Sequence, residues 1–443
     1  MDAVMPAPLP QAGDEVSSSN SSADVLFSLV IQHMFGPRKH QNETVRRALQ
    51  DRLRPPALPL DSGYDLGSVN YYARPAVGSN RRSFYMTVDT AADLTWLQCQ
   101  PCHPCFEQLD QPVFDPQQDS TTLHIISGGS PLCALLGPAA TTSTANSPTC
   151  TYLKVYEDGS FTAGKLVSDT FAVMPSIVFG CSHRSQSEEG VFELMAGILG
   201  LNRGNLAFPA QLRRRGLSST FTYCLPPMYS PDTSTLTFGT ENTQIGGTTV
   251  FTPLMTNPEH PFYYYVQLTG ISIGRHFLEL PPSLFDIDPN TGDGGFFIDS
   301  GATITRLHPL AYSALRNAMR DAIAAHAPQL VLGEPYSNLF DTCYHLADGV
   351  HQDHLRDGVS SIVLHFARAA DLELPPDIVL MSLDKPDPAN GLDDHPVCLS
   401  FSSADLNAHF LQATSVLGNV HQQRTRFIFD VDNERIGFTP NAC

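Results

Sequence analysis

"VDTAADLTWL" (88–97) and "IDSGATITRL" (298–307) are two copies of one pattern, and they decide the fold. They align without a gap: Asp89 meets Asp299, Thr90 meets Ser300, Ala92 meets Ala302, Thr95 meets Thr305 and Leu97 meets Leu307. Each copy starts as an apolar strand, reaches an Asp and turns through small residues. Each is followed by an apolar-apolar-Gly signal, "GILGL" with Gly200 for the first and "SVLGN" with Gly418 for the second. Such self-similarity marks a duplicated architecture. Two similar lobes, each bringing one Asp, follow from it.

The chemistry that needs two such loops is a carboxylate dyad. Two Asp side chains about 3 Å apart cannot both ionise, so they share a proton and their pKa values are driven apart. The ionised partner acts as general base on a bound water, while the protonated one donates to a substrate carbonyl oxygen. Pseudo-twofold symmetry sets the loops face to face at a lobe boundary, where a cleft for an extended polypeptide lies.

Working outward, the chain after Tyr71 consists of short Val, Ile, Phe, Tyr and Thr runs broken by Gly, Pro, Asn and Asp. That texture predicts an all-β protein rich in hairpins. The clearest helix is "HPLAYSALRNAMRDAIAAHA" (308–327), and few others are expected. The stretch to about residue 66 has no cysteine and is rich in Ser, Pro and charge. Within that leader, 25–35 reads as a short strand and 42–56 as a basic helix stopped by Pro55 and Pro56. The expected division is 1–66 leader, 67–255 N-terminal lobe and 256–443 C-terminal lobe.

Composition narrows the function classes. A net charge of -19 and a pI near 5.1 argue against nucleic acid and anionic membranes as partners and suit an acidic medium. No run of 18 apolar residues occurs, so no membrane-spanning helix is expected. Ten cysteines, an even count, suggest disulfides and an oxidising compartment. The first 24 residues, however, lack the basic and apolar regions of a secretory signal.

From about Leu66 to Cys443 the sequence resembles the pepsin-like aspartic proteases, and within them the plant nepenthesin-like branch. The resemblance rests on "DTAA" and "DSGA", which match a D-[TS]-G-[STA] motif in each lobe, and on "DLTWLQCQPC", "IVFGCS", "FTYCLPP", "TPLMTNPEHPFYYYVQLTGISIG" and "GNVHQQRTRFIFDVDNERIGFTPNAC". It implies a bilobal pepsin-like fold of two pseudo-twofold-related β lobes with a cleft between them and few short helices. It implies Asp89 and Asp299 as the catalytic pair, with Thr90 and Ser300 bonding across to the opposite loop. Gly200 and Gly418 become the turns of the two ψ-shaped loops. "VYEDGSFTAG" supplies the flap tyrosine, Tyr156, and Trp96 is the residue whose indole N–H reaches it.

The leader also resembles the prosegment of these zymogens, a strand and basic helix that would cover an acidic cleft until acidification weakens the contact. Sequons at Asn20 and Asn42 lie within it. The resemblance points to a secreted, vacuolar or apoplastic location, against the missing signal.

The chain departs from the family pattern at the third position of the first motif. Ala91 stands where the family has Gly, whereas Gly301 is kept in the second motif. Gly there lets the backbone approach the carboxylate, and a Cβ would crowd the partner loop or force an unsuitable backbone, at a cost of roughly 1–3 kcal/mol. Glu157 replaces the flap Gly after Tyr156.

The cysteines are Cys99, Cys102, Cys105, Cys133, Cys150, Cys181, Cys224, Cys343, Cys398 and Cys443. In "CQPCHPC" (99–105), Cys99, Cys102, His103 and Cys105 are the alternative zinc ligands. The resemblance favours disulfides instead, from this insert to Cys133, Cys150 or Cys224, and implies Cys343 with Cys398. The family usually has 12 cysteines, so a bridge of the insert is expected to be missing. The reading is an aspartic endopeptidase acting on a polypeptide, a monomer, with no metal or cofactor. The competing class is a pepsin-fold binding or inhibitor protein that has lost catalysis.

Overall fold

The strands follow the patterning of their side chains. In Ile362–Phe366 and Ala370–Leu374 alternate residues are buried, the period of a sheet with one wet face. Around the two Asp motifs the pattern changes. Gly197–Gly200, Phe296–Ile298 and Ser415–Leu417 are buried at every position, as continuous apolar runs are when both faces of a strand are covered.

The computed structural model describes residues 56–442 except 65–67, 109–110, 142–146, 157–158, 188–193, 240–247, 337–338, 348–353, 355, 383–395 and 408–412. These residues fall within one compact unit, Pro55–Cys443. The leader strand at 25–35, the basic helix up to Pro55, Glu157 and Cys443 lie outside the described residues.

The fold is mostly β and bilobal, as its duplicated motifs imply. A continuous antiparallel sheet joins the lobes. Its order is Ala57–Ser62, Ser234–Phe238, Phe221–Cys224, Arg426–Asp430, Arg435–Thr439 and Val250–Met255. The junction between the third and fourth strands stacks Phe221 on Phe429 at 4.5 Å and 7°, with Tyr264 edge-on to both. Aromatic pairs of this kind contribute about 0.5–1.5 kcal/mol each beyond their buried area.

This sheet ties the segments beside both expected boundaries to distant strands. Ala57–Ser62, read as leader, pairs with Ser234–Phe238 and with Tyr71–Ala73 of the N-terminal lobe. Val250–Met255, read as the end of the N-terminal lobe, pairs with Arg435–Thr439 and Tyr264–Val266 of the C-terminal lobe. In both cases a backbone ladder reaches a sequence-distant strand, a pairing that composition does not reveal.

Four α-helices lie among the described residues, and only Pro309–His326 exceeds six residues. His308 caps it by accepting from Leu310 N at 3.2 Å, and Pro309 occupies the first turn, where its missing N–H costs nothing. The helix buries Ala311, Leu315, Met319 and Ile323 on one stripe. No described helix is long and apolar enough to cross a membrane.

Candidate active site

Each Asp is delivered by the same three-strand arrangement. In the N-terminal lobe Met86–Asp89 runs parallel to Gly197–Gly200, with Gly200 opposite Asp89, and Gly197–Gly200 also pairs with Trp96–Gln98. In the C-terminal lobe Phe296–Ile298 runs parallel to Ser415–Leu417, which also pairs with Thr305–Leu307. Gly200 N donates to Thr95 Oγ1 and Gly418 N to Thr305 Oγ1, each at 3.1 Å. Both turns must be Gly. A Cβ at 200 would lie 2.8 Å from the Ala92 carbonyl oxygen, and one at 418 would lie 2.4 Å from the Ile304 carbonyl carbon.

The two loops interlock across the lobes through Thr90 and Ser300, both fully buried. Thr90 N donates to Ser300 Oγ at 3.2 Å and Ser300 N to Thr90 Oγ1 at 2.9 Å. Each hydroxyl then donates to the strand before the opposite Asp, Thr90 Oγ1 to Ile298 O at 3.2 Å and Ser300 Oγ to Val88 O at 2.8 Å. Four reciprocal bonds therefore set the separation of the loops. Each hydroxyl of this buried lattice both donates and accepts, which rigidifies it.

Asp89 Oδ1 accepts from Ala91 N at 2.7 Å and Ala92 N at 2.9 Å. Asp299 Oδ1 accepts from Gly301 N, also at 2.7 Å. The dihedral strain considered for Ala91 is not found, because Ala91 is absent from the residues with positive φ. The crowding argument is supported from the other side. A Cβ at Gly301 would lie 2.8 Å from Asp89 Cγ and 3.0 Å from both its carboxylate oxygens. Ala91 is the aligned residue of the first motif. Its methyl packs with Ala302 and Tyr263 against the Tyr265, Phe297 and Val416 cluster of the opposite lobe.

Burial pushes the Asp89 carboxyl up to about 6, against the pull of the Ala91 and Ala92 amides and of Lys154. Lys154, on strand Thr151–Val155, pairs with Asp93 Oδ1 at 2.8 Å. That ion pair ties the hairpin strand to the loop beyond Asp89. The hairpin is Thr151–Val155 against Phe161–Phe171, and its turn places Tyr156 N on Ser160 O at 2.8 Å. Tyr156 OH accepts from Trp96 Nε1 at 2.6 Å. Burial, with the charge of Asp89, holds the Tyr156 phenol well above its ordinary value, so it is neutral.

Other supporting residues escape a reading of the sequence. Asn202 Nδ2 donates to Ala91 O at 3.0 Å and Asn419 Nδ2 to Ser300 O at 3.1 Å. These two Asn follow Gly200 and Gly418 at offsets differing by one residue, so the gapless alignment hides the pair. Gln422 Nε2 donates to Asp299 O at 3.0 Å and Leu417 O at 2.9 Å. His421, fully buried, bridges Ser400 Oγ at 2.7 Å and Thr305 Oγ1. Burial pulls its imidazole down to about 3.

The cysteines pair differently from the expectation for the insert. Cys99 bridges Cys181, Cys102 bridges Cys105, and Cys133 bridges Cys150. The insert therefore does not reach Cys133, Cys150 or Cys224. Cys99 is instead carried to Cys181 by the parallel pairing of Trp96–Gln98 with Met174–Gln186, which sets Leu97 beside Cys181. Cys343 bridges Cys398, and Cys224 is also in a disulfide. With Cys99, Cys102 and Cys105 bridged, the proposed zinc set has no free thiolates, and no cluster suited to a metal lies among the described residues.

Known proteins resemble this chain in sequence and in fold. Family models described as the xylanase inhibitor N-terminal and C-terminal regions match residues 71–240 and 263–440. Aspartyl protease family protein 2 of Arabidopsis thaliana is 37% identical over 388 residues, covering 86% of this chain and 73% of its own. Aspartic proteinase nepenthesin-1 of Nepenthes gracilis is 31% identical over 382 residues, covering 85% and 79%. In fold, the crystal structure of edgp matches with a TM-score of 0.64 at 19% identity, over 87% of this chain and 95% of its own. Basic 7S globulin from soybean matches with a TM-score of 0.62 at 17% identity, over 87% and 96%. The chain belongs to the plant pepsin-like aspartic protease family.

Proposed function

We propose that the protein is an aspartic endopeptidase that hydrolyses a polypeptide held between the lobes, at acidic pH, with Asp89 and Asp299 sharing one proton. The carrying observation is that the backbone N–H of Ala91 still donates to Asp89 at the distance at which Gly301 donates to Asp299, inside an intact Thr90–Ser300 lattice. Buried and raised to about 6, Asp89 is the partner that keeps the proton in acid. Asp299 then takes a proton from water as the oxygen attacks the peptide carbonyl carbon, and Asp89 gives its proton to the carbonyl oxygen. When the tetrahedral adduct collapses, Asp299 protonates the leaving nitrogen and Asp89 recovers a proton from the hydroxyl. The neutral Tyr156, anchored by Trp96, covers the reacting bond and excludes water.

A second reading is favoured by the Ala91 methyl and by the inhibitor description of the two family models. In it the protein binds another protein through this fold without cleaving it. Digestion of an unfolded protein at pH 3–5, with and without a statine-type transition-state analogue, separates the two. Wild type is expected to cleave, to be blocked by the analogue, and to lose about 10²–10⁴-fold in rate as Asp299→Asn. No cleavage by wild type, with cleavage restored by Ala91→Gly, selects the second reading.

A further inference from the structure

We infer that the Cys102–Cys105 disulfide is a thiol–disulfide exchange site, opened by an external dithiol, whose opening loosens the Trp96–Tyr156 contact. The part of the inference that concerns turnover rests on the peptidase reading above; the exchange chemistry does not.

This bridge differs from the other described ones in where it sits. Cys99, Cys133, Cys150, Cys181, Cys224, Cys343 and Cys398 are all buried. Cys102 and Cys105 are half-buried, on a loop whose Pro101, His103 and Pro104 are exposed. Exchange requires a thiolate to reach a disulfide sulfur, so accessible bridges are the labile ones. It also differs in what it closes. A sequence separation of 3, against 82, 17 and 55 for its neighbours, constrains little of the unfolded chain. Stabilisation of the fold is therefore a poor account of it.

The surroundings favour a reversible reaction. His103 N donates to His183 O at 2.9 Å and Ser185 N to Pro104 O at 2.9 Å. These backbone bonds hold the loop whether or not the sulfurs are joined, so the two thiols stay close after reduction. The two sulfurs also see different neighbours. Cys102 Sγ lies 3.6 Å from the Ser182 carbonyl oxygen, which disfavours an anion there. Cys105 Sγ lies 3.7 Å from the Ser185 hydroxyl, which donates to Gln98 Oε1 at 2.7 Å and would have to turn from it to serve a thiolate formed there. The reagent thiolate accordingly attacks Cys102 Sγ, forming a mixed disulfide and releasing Cys105 as thiolate. The second reagent thiol displaces Cys102, and both leaving thiolates take up protons. Two electrons and two protons pass from the dithiol, which becomes a disulfide.

A short path joins the loop to the flap. The residue after Cys105 is Phe106, whose N–H donates to Gln98 Oε1 at 3.1 Å and whose carbonyl accepts from Gln98 Nε2 at 3.0 Å. Its ring stands edge-on to Trp96 with centroids 6.4 Å apart. Trp96 holds Tyr156 through its indole N–H. Opening the bridge removes the covalent tie one residue before Phe106, leaving its backbone on the two Gln98 bonds alone and its ring less constrained against the indole.

The test poises the whole protein in reduced and oxidised dithiothreitol of graded ratio, then quenches, alkylates and maps the cysteines. Trp96 is the only Trp in the chain, so its emission reports the same step without substrate. Expected is joint alkylation of Cys102 and Cys105 while Cys99–Cys181, Cys133–Cys150 and Cys343–Cys398 stay closed. Trp96 emission and kcat/KM should change in that step, kcat/KM falling several-fold, and both should return on reoxidation. The double variant Cys102→Ser/Cys105→Ser should show the reduced-form emission at every ratio. Alkylation of Cys102 and Cys105 only together with the buried cysteines overturns the exchange site. Opening with unchanged Trp96 emission overturns the link to the flap. A protein that cleaves nothing, yet shows the alkylation and emission step, refutes the peptidase reading and leaves the exchange site standing.

Discussion

At the third position of the motif one methyl group separates the two halves of the site. Gly301 has room only for hydrogen against Asp89, whereas the opposite loop carries Ala91 and keeps its hydrogen bond. Adding the second methyl should therefore be far worse than removing the first. Gly301→Ala is expected to displace the Asp89 carboxyl and lower kcat/KM by at least about 10²-fold, the scale set by small misplacements of catalytic groups. Ala91→Gly should raise it. Equal effects of both substitutions on kcat/KM would refute the steric account. At this scale the sequence was most informative where a residue recurs in register, as with Asp89 and Asp299, or Thr90 and Ser300. It was silent on Asn202 and Asn419, whose offset differs by one residue, and on His421, because a single buried histidine makes no pattern.

Among elements, the flap and the interlocked loops carry separable loads. Tyr156 and Trp96 share one hydrogen bond, so Tyr156→Phe and Trp96→Phe should each lower kcat/KM by about tenfold, roughly the 1.4 kcal/mol of a lost hydrogen bond. The double variant should be little worse than the poorer single one, and full additivity would show that the residues act independently. In the loops, Thr90→Ala and Ser300→Ala each strand backbone donors and acceptors in the core. Each should cost about 1–3 kcal/mol in urea unfolding, again with strong non-additivity in the pair. Elements were legible wherever period and turn signals were local, as in the helix Pro309–His326. The partner of Cys99 was not, because it is set by pairing between strands far apart in the chain.

For the whole molecule, two buried groups oppose each other in the pH dependence of stability. Asp89 is raised by burial from 3.8 to about 6. Its contribution is fully present below the unfolded value and is lost as pH rises through about 6. His421 is lowered by burial from 6.5 to about 3. Between those values the unfolded chain holds a proton that the folded one does not, so its contribution grows with pH and is lost as pH falls towards about 3. From about pH 4 to 6 the two slopes, each up to about 1.4 kcal/mol per pH unit for one proton, act in opposite directions. Wild type should therefore show a shallow profile in urea unfolding across this window. Asp89→Asn removes the acid-favouring group, so stability should climb with pH. In His421→Gln, whose amide can still bond Ser400 and Thr305, stability should fall as pH rises. The slopes, rather than the absolute stabilities, carry the prediction, since either substitution also perturbs packing. Parallel profiles for all three proteins would mean that neither group keeps its buried protonation state in the fold, and would remove the basis for assigning the acid role to Asp89.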